Sequence, residues 1–284
     1  MILNKTAFSK QSIALMQKII SRENQKIKFA RRVREGFHKD LIFVEGVRLA
    51  EEALRSNLKI FDAIFTADFA ASERGRNILQ QTESSNLAEV STKIFTSLAE
   101  TKNSQGIILI GEKPLTGENI IAAKLEDGET FPLLVLLHQI NNPSNLGAIL
   151  RTAEAANAAG VITTKNSADV FSPKTLRGAM GAAFRISLWK DADFFEVTSW
   201  AKEKNFVSVC ADVNAKTSYL EIDWRKPRLL IFGSEAHGLS AEEREKIEES
   251  LIVPMANGVE SLNLAVSAGV ILFEAKSQFE NSKE

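Results

Sequence analysis

Two unbroken apolar runs, residues 133–137 (LLVLL) and 229–232 (LLIF), set the tightest limit on what this chain can fold into. Both have the length of a strand, and neither alternates with polar residues. Such a strand must be covered on both faces, which implies a mostly parallel sheet between layers of helices. The flanking sequence agrees. Residues 145–159 carry helical periodicity, with Gly160 read as the C-cap. Residues 161–163 read as strand, 173–181 as a helix start, 194–205 as an amphipathic helix and 206–211 as strand. Residues 240–249 read as a charged helix opened by Ser240 with Glu243 three positions on, the spacing of a capping box. A short strand over 251–253 and a long apolar helix over 261–273 complete the pattern.

The front half is lighter in pattern. Residues 1–40 read as helical and basic, because Ile13, Met16, Ile19 and Ile20 recur at helical spacing and a run of cations follows. Strands over 41–44 and 60–66, helices over 47–56 and 72–81, and strands near 88–90 and 107–110 make a small α/β domain. The stretch 113–130, with its proline, glycines and charges, reads as a linker. The expected organisation is a basic helical lead-in (1–30), a small domain (31–112), a linker (113–130) and a larger α/β domain (131–284).

Composition narrows the function classes. The one cysteine, Cys210, leaves no partner for an intrachain disulfide and rules out a thiolate-rich zinc site. The histidines, His38, His138 and His237, are too scattered for a metal signature, so no metal is expected. No apolar run approaches the roughly 20 residues of a membrane span, and the apolar stretch at 13–16 is too short for a secretory signal. A cytoplasmic location is expected. The net charge of -1 hides an asymmetry: residues 1–50 hold eleven Lys and Arg against four Asp and Glu. A polyanion partner and a solvated helix face both account for that excess.

Neither G-x-G-x-x-G nor G-x-x-x-x-G-K-[ST] occurs. Three polar loops stand out instead, each following a strand and leading into a helix, where open α/β sheets bind ligands. In 138–160, Asn141, Asn142 and Asn145 crowd a loop, and Arg151 interrupts a helix of small and apolar residues. Its planar fork suits a phosphate or carboxylate at a cleft; a surface pair with Glu154 is the alternative. In 228–240, Gly233, Ser234 and Glu235 close an apolar strand. Glycine there permits close backbone approach to a ligand. Glu235 suits either a hydrogen bond from a ribose or amine, or a surface ion pair. In 251–274, Asn263 falls in the first turn of the apolar helix, where it holds the loop or faces a ligand. Met255 with Ile252 either fills core space or lines an adenine pocket, and Ser261 is a cap or a nucleotide contact. The absence of G-x-S-x-G and H-E-x-x-H argues against hydrolysis.

Taken together, "NNPSNLGAILRTAEAA", "LLIFGSEAHGLS" and "LIVPMANGVESLNLAVSAGVILFE" resemble, in order and spacing, the three motifs of the SpoU (TrmH) family of RNA ribose 2'-O-methyltransferases. "FSPKTLRGAMGAAFRI" is similar to the segment between the first two, and "FVEGVRLAEEAL" resembles the L30e-like substrate-binding domain of many members. The resemblance implies an α/β fold whose C-terminal SPOUT domain is a trefoil knot, preceded by that L30e-like domain. It implies S-adenosylmethionine as cofactor, bound by Gly233, Glu235, Ile252, Val253, Met255, Ser261 and Leu262. It assigns catalysis to Arg151, assisted by Asn145, Glu235 and Asn263. The implied partners are RNA and a second copy of the chain, joined through the knotted domain. Phosphate contacts are expected from Lys26, Lys28, Arg31, Arg32, Arg34 and Arg151. A 23S-type ribosomal RNA is the favoured substrate; a transfer RNA, or a non-catalytic role in ribosome assembly, is the alternative. One departure is present: the family's second motif usually continues glycine-glutamate-glycine, and here Ala236 stands in the last position.

Overall fold

The computed structural model describes residues 17–82, 86–126 and 131–282. They form two compact units: the chain up to Pro114 together with Phe171–Pro173, and Leu115–Val170 together with the chain from Lys174 onward.

The first unit runs β1 (Gln17–Ile19), α1 (Gln25–Arg34), β2 (Leu41–Glu45), α2 (Val47–Arg55), β3 (Ile60–Thr66), α3 (Ala67–Ala71), α4 (Glu73–Gln81), β4 (Asn86–Val90), α5 (Thr92–Leu98) and β5 (Ile107–Glu112). Its mixed sheet has the order β1-β4-β3-β5-β2. Two expectations change here. Residues 17–19 are not part of a helical lead-in but a strand parallel to β4, because Ile19 is buried against the sheet while Ile20 points out, the alternation of a strand. Residues 1–16 lie outside the described residues. The basic helix α1 is not an appendage either: Ile27, Ala30 and Val33 are buried in the same core as Phe43, Ile64 and Phe95.

The second unit runs α6 (Glu118–Glu126), β6 (Phe131–Leu137), α7 (Pro143–Ala155), β7 (Ala158–Thr164), α8 (Pro173–Ala179), β8 (Leu188–Ala192), α9 (Phe194–Glu203), β9 (Val207–Ala211), β10 (Arg228–Phe232), α10 (Ala241–Arg244), β11 (Glu249–Leu251) and α11 (Leu264–Asn281). Its sheet has the order β11-β9-β10-β6-β7-β8, and every pairing is parallel. The two apolar runs are its central strands, paired Leu133 to Arg228 through Leu137 to Phe232. Leu134, Leu136, Leu229 and Ile231 share a cluster with Ile121, Val197 and Trp200 on one face. Helices α7 and α11 pack on each other. The expected linker therefore contains a core element: α6 sends Ile121 into the second unit, which the prolines and glycines around it obscure in the sequence. Gly160 is not a C-cap but lies within β7, where a Cβ would stand 2.3 Å from the Ile121 side chain. Asn157, at φ 61°, makes the turn instead.

From edge strand β11 the chain crosses back over the sheet. Residue Ile252 exchanges backbone hydrogen bonds with Thr217 and Tyr219 of the β9–β10 connection. The chain then reaches α11, whose first turn stands beside α7 through the Asn263–Asn145 hydrogen bond. Helix α7 can approach α8 because both carry glycine at the crossing. A Cβ on Gly147 would lie 2.5 Å from the Thr175 carbonyl oxygen and 2.9 Å from the Gly178 Cα. Gly147→Ala is therefore expected to lower unfolding free energy by roughly 1–3 kcal/mol, read from the urea midpoint; an unchanged midpoint contradicts this packing.

Candidate functional site

Because all six strands run the same way, their carboxyl ends share one edge of the sheet. The loops after β6, β10 and β11 meet there. Asn142 caps α7, its side chain accepting from the Ser144 N–H at 2.9 Å, with Pro143 at the first helical position. That start presents Asn145 one turn in. After β10, Gly233 lies against Gly238 so closely that a Cβ would sit 2.6 Å from the Gly238 carbonyl carbon. Paired backbone hydrogen bonds between Ser234 and Gly238 close the hairpin, which carries Glu235, Ala236 and His237 at its tip. Ala236 is not among the residues with a left-handed backbone; Gly238 (φ 64°) is. The substitution of the family's glycine thus adds a methyl without backbone strain.

Asn263 is the N-cap of α11 rather than a residue of its first turn. Its Oδ1 accepts from the Ala265 N–H at 2.9 Å and from Val266. With that oxygen committed, Nδ2 donates to Asn145 Oδ1 at 3.1 Å, and Asn145 Nδ2 donates to Glu235 Oε1. One directed chain of hydrogen bonds thus ties the three loops together and ends on a carboxylate, which keeps its second oxygen for other donors.

Below this chain lies a cavity of about 550 Å³. Gly233, Glu235, Ile252, Val253, Met255, Ser261 and Leu262 all line it, as do Asn145 and Asn263. Phe232, Leu251 and Ile271 add apolar wall. The residues fit an adenosyl cofactor: the volume suits a small molecule, the apolar walls suit a purine, and the Gly233–Gly238 contact leaves backbone where side chains would otherwise stand. Among the described residues, no group of three or more His, Cys, Asp or Glu is placed to hold a metal. No helix among them is long and apolar enough to cross a membrane.

Arg151 stands apart. It is exposed on α7 and does not line the cavity. It does not pair with Glu154 either, because Arg185 takes both oxygens of that carboxylate at 2.5 and 3.0 Å. The basic face of α1 also divides. Ile27, Ala30 and Val33 mark its buried stripe, and Lys26 and Arg34 flank that stripe. Lys26 is held by Asp62 at 2.7 Å, both largely buried, and Arg34 by the Leu98 carbonyl at 2.9 Å. Neither is a surface cation. Lys28 and Arg32 lie on the exposed face with Arg31 between the two; Lys28 pairs with Glu23 at 2.8 Å, and Arg32 lies over the ring of Phe37.

Sequence reasoning gives His138 no role, yet it joins two of the loops. It follows β6 directly, and its Nε2 lies 3.0 Å from Glu243 Oε1. The other Glu243 oxygen closes the capping box of α10 by accepting the Ser240 N–H. Because a carboxylate only accepts, Nε2 carries the proton, and Nδ1 accepts from the Thr164 hydroxyl at 3.2 Å. Burial pushes the imidazole below its usual range, against the opposing pull of Glu243 and Asp193. The only sequence signal was position, as the first polar residue after an apolar strand.

Residues 132–273 match the model of the SpoU rRNA Methylase family, and residues 24–109 match the MRM3-like substrate binding domain. The chain is 29% identical to rRNA methyltransferase 3B, mitochondrial, of Danio rerio, over 84% of this chain and 66% of that protein. With the related 3A protein it is 28% identical over 64% of that protein's length, so the chain spans just under two thirds of these relatives. It is 33% identical to a 23S rRNA (guanosine-2'-O-)-methyltransferase of Pseudomonas putida, over 61% of this chain and 71% of that protein. The AdoMet-bound rRNA methyltransferase from Sinorhizobium meliloti superposes with a TM-score of 0.79 at 26% identity, covering 93% of this chain and 98% of the other.

His138 generates a pH dependence. Its folded pKa is lowered, so the unfolded chain holds the extra proton below the unfolded value of about 6.5. This contribution to stability is complete above that pH and declines as the pH falls through it. Between pH 7.5 and 5.5 the urea midpoint is expected to fall, and to fall less in His138→Gln; equal falls in both proteins contradict the assignment.

Proposed function

The chain belongs to the SpoU rRNA methylase family, and from that premise we propose that it transfers a methyl group from S-adenosylmethionine to a ribose 2'-hydroxyl of structured RNA, with 23S-type ribosomal RNA as substrate. The observation that carries this reading is the hydrogen-bonded chain Asn263–Asn145–Glu235 at the rim of a cavity lined by all seven expected cofactor residues. The cofactor, when bound, supplies an electrophilic methyl on its sulfonium. The protein's part is alignment and charge. Glu235, held by Asn145 at one oxygen, offers the other to a hydroxyl. Arg151 orients the neighbouring phosphate and steadies developing charge on the 2'-oxygen. A guanidinium is a fork of N–H donors with no acceptor, so it acts better as a donor than as a base. DNA lacks the accepting hydroxyl, so the chemistry selects RNA.

Arg151 reaches this site in trans. The first ten residues of helix α11, 264–273, are apolar or small, and Val266 and Phe273, seven residues apart, are half exposed. A helix of that kind calls for cover on its outer face, and a second copy of the chain supplies it. Arg151 of the partner subunit then faces the cavity. The knotted path is part of the same reading, supported by the return of the chain from Ile252 over the sheet ends to Asn263. On the first unit, the phosphate contacts reduce to Lys28, Arg31 and Arg32. The ribosomal preference rests on the 23S-directed relative and on the matched substrate-binding domain.

Complementation tests the reading. Arg151→Ala and Glu235→Ala proteins are each expected to transfer little labelled methyl to ribosomal RNA. Refolded together they should recover about a quarter of wild-type sites, because each mixed dimer holds one intact pair. No recovery contradicts the trans arrangement; labelling of transfer RNA alone contradicts the ribosomal substrate; no labelling by wild type favours a non-catalytic factor. Neutralising Lys28, Arg31 and Arg32 together should weaken RNA binding and reduce the slope of log affinity against log salt by about two to three. An unchanged slope removes α1 from the interface.

A further inference from the structure

The cavity wall formed by the end of β9 and by α10 carries charge that the reading above does not use. Asp212 follows β9, and its side chain is largely buried. Its Oδ1 accepts from the Asn214 backbone at 2.9 Å and from the Asn214 side chain at 3.3 Å, and its Oδ2 is paired with Arg244 Nη1. Arg244, the last residue of α10, donates through Nε to the Leu239 carbonyl at 3.2 Å. Two points of attachment fix the plane of its guanidinium. Nη2 lies beside Gly238, 3.6 Å from where a Cβ would stand, so the glycine leaves it uncovered.

Arg244 lines the cavity and is the only Lys or Arg among the described residues that do so. Asp212 and Glu235 are the carboxylates there, and the rest of the lining is apolar or neutral apart from His237. The proposed ligand has a matching inventory. S-adenosylmethionine carries two cations, the sulfonium and the ammonium, and one anion, its carboxylate. We propose that Arg244, braced by Asp212, recognises the carboxylate of the cofactor's amino-acid tail and so sets specificity for the complete cofactor over tail-less adenosyl compounds. Asp212, with Asn214 on one oxygen and Arg244 on the other, holds the fork and balances its charge. The proposal rests on the cofactor reading of the same cavity.

Calorimetric titration with three probes separates the two ideas: S-adenosylmethionine, its decarboxylated form, which keeps the ammonium and sulfonium, and 5'-methylthioadenosine, which lacks the tail. Wild type should bind the decarboxylated form about ten- to a hundredfold more weakly than the complete cofactor, the usual worth of a charge-assisted hydrogen bond. Arg244→Met should bind the complete and decarboxylated forms equally and keep wild-type affinity for 5'-methylthioadenosine, which also reports an intact cavity. Arg244→Lys should retain part of the preference. Equal wild-type affinity for the complete and decarboxylated forms overturns the proposal, as does an Arg244→Met protein that weakens all three probes alike, the mark of a purely structural ion pair. A wild-type protein that binds none of the probes fails the cofactor reading itself.

Discussion

The hydrogen-bonded chain from Asn263 through Asn145 to Glu235 is the interaction on which the rest of the site depends. It joins residues 118 and 90 positions apart in sequence, and each amide can take only one orientation in it. Asn263 Oδ1 is held by the α11 backbone, so its Nδ2 must donate, so Asn145 must accept with oxygen and donate with nitrogen. The carboxylate at the end is thereby positioned by a helix N-terminus two residues away in the chain of bonds. Polar groups linked this way polarise one another and hold a geometry that isolated loops would not keep.

That chain forms only because the sheet is parallel. Parallel strands deliver their loops to one edge, and the buried apolar runs of β6 and β10 require such a sheet. The glycines at 147 and 178 let α7 sit close, the Gly233–Gly238 contact folds the β10 hairpin flat, and His138 ties the end of β6 to α10 through Glu243. The cavity is the space these constraints leave between the hairpin and the chain returning from β11.

Much of this was legible in the sequence where a local rule applied. The apolar runs identified the central strands, the Ser240–Glu243 spacing identified a capping box, and the ordered motifs identified the cavity lining. The illegible parts depend on long-range partners. Nothing near Lys26 announces that Asp62 will bury it, and only the helix's own buried stripe, read after folding, separates Lys26 and Arg34 from Lys28 and Arg32. Asn263 fits a helix interior by pattern and proves to be a cap, its Oδ1 taken by the Ala265 and Val266 N–H groups and its Nδ2 by Asn145, a partner 118 positions away. Ile121 sits in a stretch rich in turn formers, and its partner Gly160 lies across a strand pair. Arg151 is the instructive case. Its motif resembles one that carries chemistry, while its own fold leaves it exposed and away from the cavity, and no local rule in the sequence signals that separation.

The most direct measurement is mass spectrometry of nucleosides released from ribosomal RNA after incubation with the protein and methyl-deuterated S-adenosylmethionine. The account predicts one labelled nucleoside whose label leaves with the ribose on fragmentation. Label retained on the base would contradict the arrangement around Glu235 and Arg151.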